Sequence, residues 1–190
     1  LGLPREEELI GHGISYCAVC DGSFYAGRTV AVIGGGNTAL QETMMLSEIC
    51  RHVYVVQNLP KLTGEGRLCE AVTARPNVTV LYSTVVEEFL GEKEIEGLML
   101  RKTEDNTQAS IAVDGVFVAI GQVPENEAFS DIVKLNERGY ILSDEHCMTD
   151  RAGIFVAGDC RTKEVRQVTT ATADGAVAAL AAVRYLDSFA

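Results

Sequence analysis

The apolar positions near the start of the chain change period twice within thirty residues or so. Thr29–Ile33 (TVAVI) is β-branched and apolar throughout and stops at Gly34-Gly35-Gly36. A short apolar run with a glycine stop predicts a strand buried on both faces. From Asn37 to Ile49, Ala39, Thr43, Leu46 and Ile49 recur at spacings of four and three, which predicts a helix with these residues on its buried face. Val53–Val56 (VYVV) predicts the next buried strand. Strand, glycine turn, helix and strand compose one βαβ unit with a right-handed crossover. Further strands are predicted at Val78–Leu81, Gly97–Arg101, Ala109–Val113 and Gly115–Ile120, and a helix around Cys69. The middle strands alternate, as expected of a β-meander covering part of a parallel sheet.

The pattern changes at Gly121-Gln122-Val123-Pro124, which breaks the last strand and opens an acidic, less regular region. Tyr140–Ser143 and Ile154–Ala157 predict short strands, the second closed by Gly158-Asp159. Ala171–Ala190 predicts an Ala-rich helix with Ala176, Ala179, Leu180, Val183 and Leu186 on one face. A domain boundary near residue 122 follows, giving segments 1–122 and 123–190. The second has too few strands for a whole domain and reads as part of one.

Charge narrows the function classes. The 190 residues carry 16 Lys and Arg against 27 Asp and Glu, a net charge of −11. Such a surface repels nucleic acid and anionic membranes, so neither is an expected partner. With 47% apolar and 23% charged residues, disorder is excluded. No run of ~20 apolar residues is present to span a bilayer, and the acidic N-terminus LGLPREEELIGHG has no signal-peptide core. A cytoplasmic chain is expected. The missing initiator Met suggests a piece of something longer.

Gly34-Gly35-Gly36-Asn37-Thr38-Ala39 is a G-x-G-x-x-A placed between a predicted strand and helix. In a dinucleotide site, Gly34 makes the tight turn, Gly36 admits a pyrophosphate to the backbone, and Ala39 lets helix and strand pack closely. The helix N-terminus then faces the phosphates. A plain tight turn is the competing reading. A dinucleotide site also wants an acidic residue ~20 positions on for NAD, or an Arg for the 2′-phosphate of NADP. The strand ends instead in Gln57-Asn58-Leu59-Pro60-Lys61, and Lys61 and Arg67 read most simply as surface charges.

Six cysteines stand at 17, 20, 50, 69, 147 and 160, and only Cys17 and Cys20 form a CxxC. Three residues apart, their sulfurs meet on one face of a helical turn and can cycle between dithiol and disulfide. Asp21 is placed to exchange a proton with a leaving thiolate. Zinc and inert burial are the other readings, zinc weakened by the absence of a second close ligand pair. No metal is expected. Cys50, Cys69, Cys147 and Cys160 read as small core residues, and His12, His52 and His146 have no partner spacing.

CAVCDG followed by GGGNTA resembles the low-molecular-weight thioredoxin reductases, which are FAD-dependent pyridine nucleotide-disulfide oxidoreductases. The resemblance continues through GVFVAIGQVPEN (115–126), GIFVAGDC (153–160) and RQVTTATADGAVAA (166–179). It implies an α/β fold: a Rossmann-like three-layer dinucleotide-binding domain with a β-meander, followed by the C-terminal portion of a split FAD-binding domain. The N-terminal unit that grips the FAD pyrophosphate is absent, so this piece alone should bind FAD poorly. By resemblance, Cys20 faces the flavin, Cys17 attacks the substrate disulfide, and Asp21 acts as general acid. Asp159 matches a residue that bonds the flavin ribityl chain, and Arg166, Gln167 and Val168 match a segment along the flavin. Gly34, Gly36, Asn37, Thr38 and Ala39 match the NADPH pyrophosphate turn, and Ile120 and Gly121 the loop near the nicotinamide.

One departure touches the reductant. Members using NADPH carry a His-Arg-Arg run and a further Arg to grip the 2′-phosphate, where this chain has Gln57, Asn58, Leu59 and Thr63. Losing such contacts costs roughly 1.5–3 kcal/mol per charge-assisted hydrogen bond. The expected activity is thioredoxin-disulfide reduction through FAD, with NADPH or NADH as reductant and a homodimer at full length. Segments near Gly13–Ile14 and Gly121–Pro124 are the expected hinges of a domain rotation. The alternatives are a relative fed by another donor such as ferredoxin, a peroxiredoxin-system reductase, and a non-catalytic nucleotide-binding module.

Overall fold

Five parallel strands form the centre of the N-terminal unit, Leu1–Gly121, in the computed structural model, which describes residues 1–189. Numbered along the chain, the strands are β1 (Ile14–Ser15), β2 (Thr29–Ile33), β3 (His52–Val56), β4 (Val78–Leu81), β5 (Thr84–Leu90), β6 (Gly97–Lys102), β7 (Gln108–Ala112) and β8 (Gly115–Val118). The α-helices are α1 (Ala18–Asp21), α2 (Asn37–Ile49), α3 (Gly66–Thr73) and α4 (Val168–Asp187). The parallel sheet runs β1-β8-β2-β3-β4, and β5-β6-β7 form a separate antiparallel sheet.

Strand β2 is central and buried at all five positions, which its unbroken apolar run requires. Successive side chains point to opposite faces. Ala31 and Ile33 pack, with Val56, Val116 and Val118, against Phe89, Leu98 and Leu100 of the antiparallel sheet. Val30 and Val32 pack the other way, with Val53 and Phe117, onto Ala18, Ala39 and Leu46 of α1 and α2. Leu40, Val55 and Val72 join α2, β3 and α3. Three layers result, the α/β architecture expected from the sequence. Within α2, Leu40 and Ser47 are buried while Ile49 is exposed, so the helix faces the sheet slightly rotated from the expected stripe.

Gly34 shows why the glycine stop is needed. Its φ is +130°, and a Cβ there would lie 2.5 Å from the carbonyl oxygen of Ala119 on the neighbouring chain segment. The turn between β2 and α2 is thus pressed against the end of β8.

Two elements escaped the pattern. In β5 a bulge between Val86 and Glu88 breaks the two-residue alternation. β1 is only two residues long but pairs with β8 in parallel. At Gly13–Ile14, one of the two expected hinge segments, Gly13 is buried, its carbonyl accepts from Val116 at 2.7 Å, and a Cβ would meet Ile95 at 2.6 Å.

The second unit, Gln122–Ala190, has a small core of Val133, Ile141 and Val156. Neither Tyr140–Ser143 nor Ile154–Ala157 becomes a ladder strand. Each contributes only isolated bridges, Ile141 with Leu135 and Arg161, and Phe155 with Met148. Side chains do the work that backbone pairing does elsewhere. Asn126, buried, donates its amide to the carbonyls of Gly139 and Cys160 at 2.9 and 2.8 Å.

Helix α4 begins at Val168, three residues before the expected start, because Gln167 and Thr170 cap it reciprocally. The last residue of the expected helix, Ala190, lies outside the described residues. Leu180, Val183 and Leu186 are exposed, and the buried helix position is Asp174. No helix among the described residues is long and apolar enough to cross a membrane.

Candidate functional site

Cys17 and Cys20 are joined by a disulfide across the first turn after β1. Cys17 is the N-cap of α1, and its sulfur accepts from the Cys20 amide at 3.1 Å. An amide aimed at a sulfur favours the thiolate form once the bond is reduced. Cys20 is exposed and Cys17 half-buried. The turn can lie close on α2 because Ala18 is small and Gly22 has no side chain. A Cβ at Gly22 would meet Leu46 and Met45 at 3.1 and 3.2 Å.

Asp21 closes the same turn. Its Oδ2 accepts from the buried Ser15 hydroxyl at 2.7 Å, while the Ser15 oxygen accepts from the Cys17 amide at 3.1 Å. One hydroxyl therefore ties the carboxylate to the backbone of Cys17. Nothing in the sequence singled out Ser15, because a serine in a short strand carries no spacing signal. The structure also brings Glu42 of α2 to the Ala18 amide, and this acid too was not foreseen.

The glycine turn lies at the N-terminus of α2. Gly36 is the N-cap and supplies no side-chain cap, Asn37 and Thr38 are exposed, and Ala39 is buried against the sheet. The arrangement suits a pyrophosphate. Its floor does not suit a 2′-phosphate. Gln57, at the end of β3, is only 4% exposed, and its Nε2 donates to the Lys61 carbonyl at 3.0 Å. The Gln57 side chain occupies the space a Cβ on Gly35 would need, with Nε2 2.5 Å from it.

The following loop is tied to the same turn. Thr63 and Gly64 donate their amides to the Gly35 carbonyl at 2.8 and 3.1 Å. Asn37 accepts from the Glu65 amide at 2.7 Å and donates to its carboxylate at 3.1 Å. The Glu65 carboxylate is thereby held at the first residue of α2, beside the glycine turn. Ile120 and Gly121 follow β8, both exposed, and Gly121 has φ +107°.

The remaining cysteines divide. Cys50 and Cys147 are buried, Cys69 and Cys160 half-buried, all four as free thiols. Burial pushes the Cys50 thiol up to about 11, which makes it a poor nucleophile. No group of three His, Cys, Asp or Glu among the described residues is arranged to hold a metal ion.

Residues 1–175 match the model of a family described as pyridine nucleotide-disulphide oxidoreductase. The chain belongs to that family. It is 39% identical over 188 residues to the thioredoxin reductase of Listeria monocytogenes, covering 98% of this chain and 59% of the relative. It is 37% identical over 186 residues to a 34.2 kDa protein in the rubredoxin operon of Clostridium pasteurianum, covering 98% of this chain and 60% of the relative. The solved thioredoxin reductase of Streptococcus pyogenes superposes with a TM-score of 0.92 at 34% identity, covering 99% of this chain and 62% of that one. The chain thus spans about 60% of the length of the curated relatives it matches.

The residues that the sequence resemblance matched to a flavin site all fall in the second unit. Asp159 is exposed, and its carbonyl accepts from Arg166 Nε at 3.3 Å. The Arg166 guanidinium lies 4.0 Å from the centre of the Tyr140 ring, a cation–π contact that fixes it. Gln167 is the N-cap of α4, and Val168 beside it is 80% exposed.

Behind them Asp174 holds the segment. It takes Arg161 bidentately, both contacts at 2.8 Å, Lys163 at 2.9 Å and the Gly158 amide at 3.0 Å. The Arg161 hydrogen bonds hold the Asp174 carboxyl far below the usual carboxylate range, against the opposing effect of its burial. An Asp inside an Ala-rich helix was the one available sequence signal for this pair.

Proposed function

We propose that the chain is the disulfide-carrying portion of a flavin-dependent thioredoxin-disulfide reductase. The observation that carries the reading is the Cys17–Cys20 disulfide on an accessible turn with Asp21 held beside it by Ser15. Residues 1–122 act as the pyridine-nucleotide-binding domain, and 123–190 as the C-terminal part of an FAD-binding domain. FAD, when bound, supplies the two-electron reduction of the disulfide. Asp159, Arg166, Gln167 and Val168 would line its site, and their fit rests on the fixed Arg166 and the exposed Val168.

With the pair reduced, the Cys17 thiolate attacks one sulfur of the substrate disulfide, forming a mixed disulfide. The other substrate sulfur leaves as a thiolate and takes a proton through Asp21. Cys20 then attacks the Cys17 sulfur, re-forms the Cys17–Cys20 bond and releases the second substrate thiol. The partner is a thioredoxin-like protein, and the full-length protein is a cytoplasmic homodimer.

Ser15→Ala is a direct check on the role of Asp21. It removes a hydrogen bond to a carboxylate, an interaction typically worth about 1.5–3 kcal/mol, so disulfide reduction should slow about tenfold or more. Reduction of the bound flavin by its donor should not change. Stopped-flow measurement of the two half-reactions separates them, and equal slowing of both would reject the assignment.

The buried Gln57 favours a second reading of the electron source. The Gly36–Thr38 turn would hold the pyrophosphate of a nicotinamide dinucleotide, but no cation grips a 2′-phosphate. The intact flavoprotein, followed anaerobically by flavin bleaching, is therefore expected to show no preference for NADPH over NADH. A preference of about a hundredfold for NADPH, worth roughly 2.7 kcal/mol, would demand a cationic grip that Gln57–Leu59 do not supply. Bleaching by neither, with reduction by a ferredoxin-type donor, would leave the turn as a scaffold in a reductase fed from elsewhere.

A further inference from the structure

A second acid reaches the CxxC turn from beneath, and the exchange chemistry above does not use it. Glu42 Oε1 stands 3.5 Å from the Ala18 amide nitrogen, a long contact that nonetheless places the carboxyl one peptide unit from Cys17. Its other oxygen, Oε2, is sealed from solvent and has no hydrogen-bond partner among the described residues. A sealed carboxylate oxygen without a partner is costly when charged and tolerable when the group is protonated. Burial accordingly raises the Glu42 pKa, and only the Ala18 amide opposes it.

The surroundings leave the cysteines as its natural electrostatic partners. The elements packed on α2 carry Asp21 on α1, Tyr25 on the adjoining 3-10 turn, Arg67, Cys69 and Glu70 on α3, and His52 and Tyr54 on β3. None of these acts appreciably on the Glu42 carboxyl. In the oxidised protein the two sulfurs are bonded and carry no charge. Reduction creates ionisable thiols on the turn that Glu42 supports.

We propose that Glu42 is a positioning residue of the redox pair, whose carboxyl sets the acidity of the reduced cysteines through its place under Ala18. Neutral, it lets the Cys17 thiolate form without a like charge below it. Ionised, it opposes that thiolate, and by the same coupling a thiolate keeps Glu42 protonated. The inference rests on the disulfide-reductase reading and adds to it a residue outside the CxxCD motif.

The test is the pH profile of iodoacetamide alkylation of Cys17 and Cys20 in the reduced, intact flavoprotein, read by mass spectrometry of their peptide. Glu42→Gln keeps the volume and an oxygen for Ala18 while removing the charge. It should move the profile to lower pH and raise the alkylation rate near neutral pH about threefold to tenfold, as expected for one charge removed at several ångströms. Glu42→Asp keeps the charge and should leave the profile close to that of the wild type. A Glu42→Gln profile that superimposes on wild type rejects the role. A shifted profile in a protein that reduces no thioredoxin-type disulfide would keep the role of Glu42 and reject the reductase reading. Normal disulfide turnover with superimposed profiles would do the reverse.

Discussion

Cys17→Ser and Cys20→Ser should each lower disulfide turnover by a factor on the order of a thousand or more, because the two thiols act as one unit and a hydroxyl cannot replace a thiolate. The fold should survive both changes. Cys17 is an N-cap position, where Ser is favoured, and the turn is held also by Ser15 and by the packing of Ala18 and Gly22 on α2. The variants should differ in what they accumulate. With Cys20→Ser, the Cys17 thiolate can still attack the substrate disulfide but nothing resolves the product, so a stable mixed disulfide should be found by mass spectrometry. With Cys17→Ser no such adduct through the attacking thiol should form. Turnover that persists in Cys17→Ser would overturn the proposed disulfide exchange through Cys17.

Asp174→Asn should destabilise the second unit by about 3 kcal/mol, the usual scale for stranding a buried charge. Arg161 is 3% exposed and Asp174 6%, so the loss falls on a guanidinium with little access to water. Hydrogen exchange of the α4 amides is the measurement, and protection equal to wild type would show that Lys163 and the neighbouring carbonyls suffice. A double change, Arg161→Met with Asp174→Leu, should recover much of the loss because it leaves no charge unpaired.

The same pair gives a pH dependence. Asp174 has a folded pKa below its unfolded value near 3.9, so its contribution is complete above about pH 5. It is lost progressively as pH falls through the unfolded value toward the lower folded one. Acid should therefore loosen α4 in the wild type and change Asp174→Asn much less.

How much of this was legible beforehand depended on whether the cause was local. TVAVI ending in three glycines is a local cause, since β-branched apolar residues favour a buried strand and only glycine fits φ +130° against the Ala119 carbonyl. β2 and α2 accordingly have the predicted bounds. The CxxC was legible for the same reason, as a three-residue spacing fixes two sulfurs on one turn. β5 was not, because its bulge erases the alternation by which strands are read. The short strands of the second unit failed in the opposite direction. Their sequences suit strands, but the neighbouring chain offers single bridges in place of ladders, and Asn126 and Asp174 supply the missing connections.

The sequence by itself determined the α/β layering, the glycine turn, the paired cysteines and the absence of arginine from Gln57 to Thr63, because each is written in residues adjacent in the chain. Tertiary structure alone decided what surrounds them. Ser15 meets Asp21 across six residues, Glu42 meets Ala18 across twenty-four, and Arg161 meets Asp174 across thirteen. Gln57 turns inward because the space beneath Gly35 lacks a side chain to fill it. Such contacts follow from how strands and helices pack, and a buried polar group takes whichever partner that packing brings within reach.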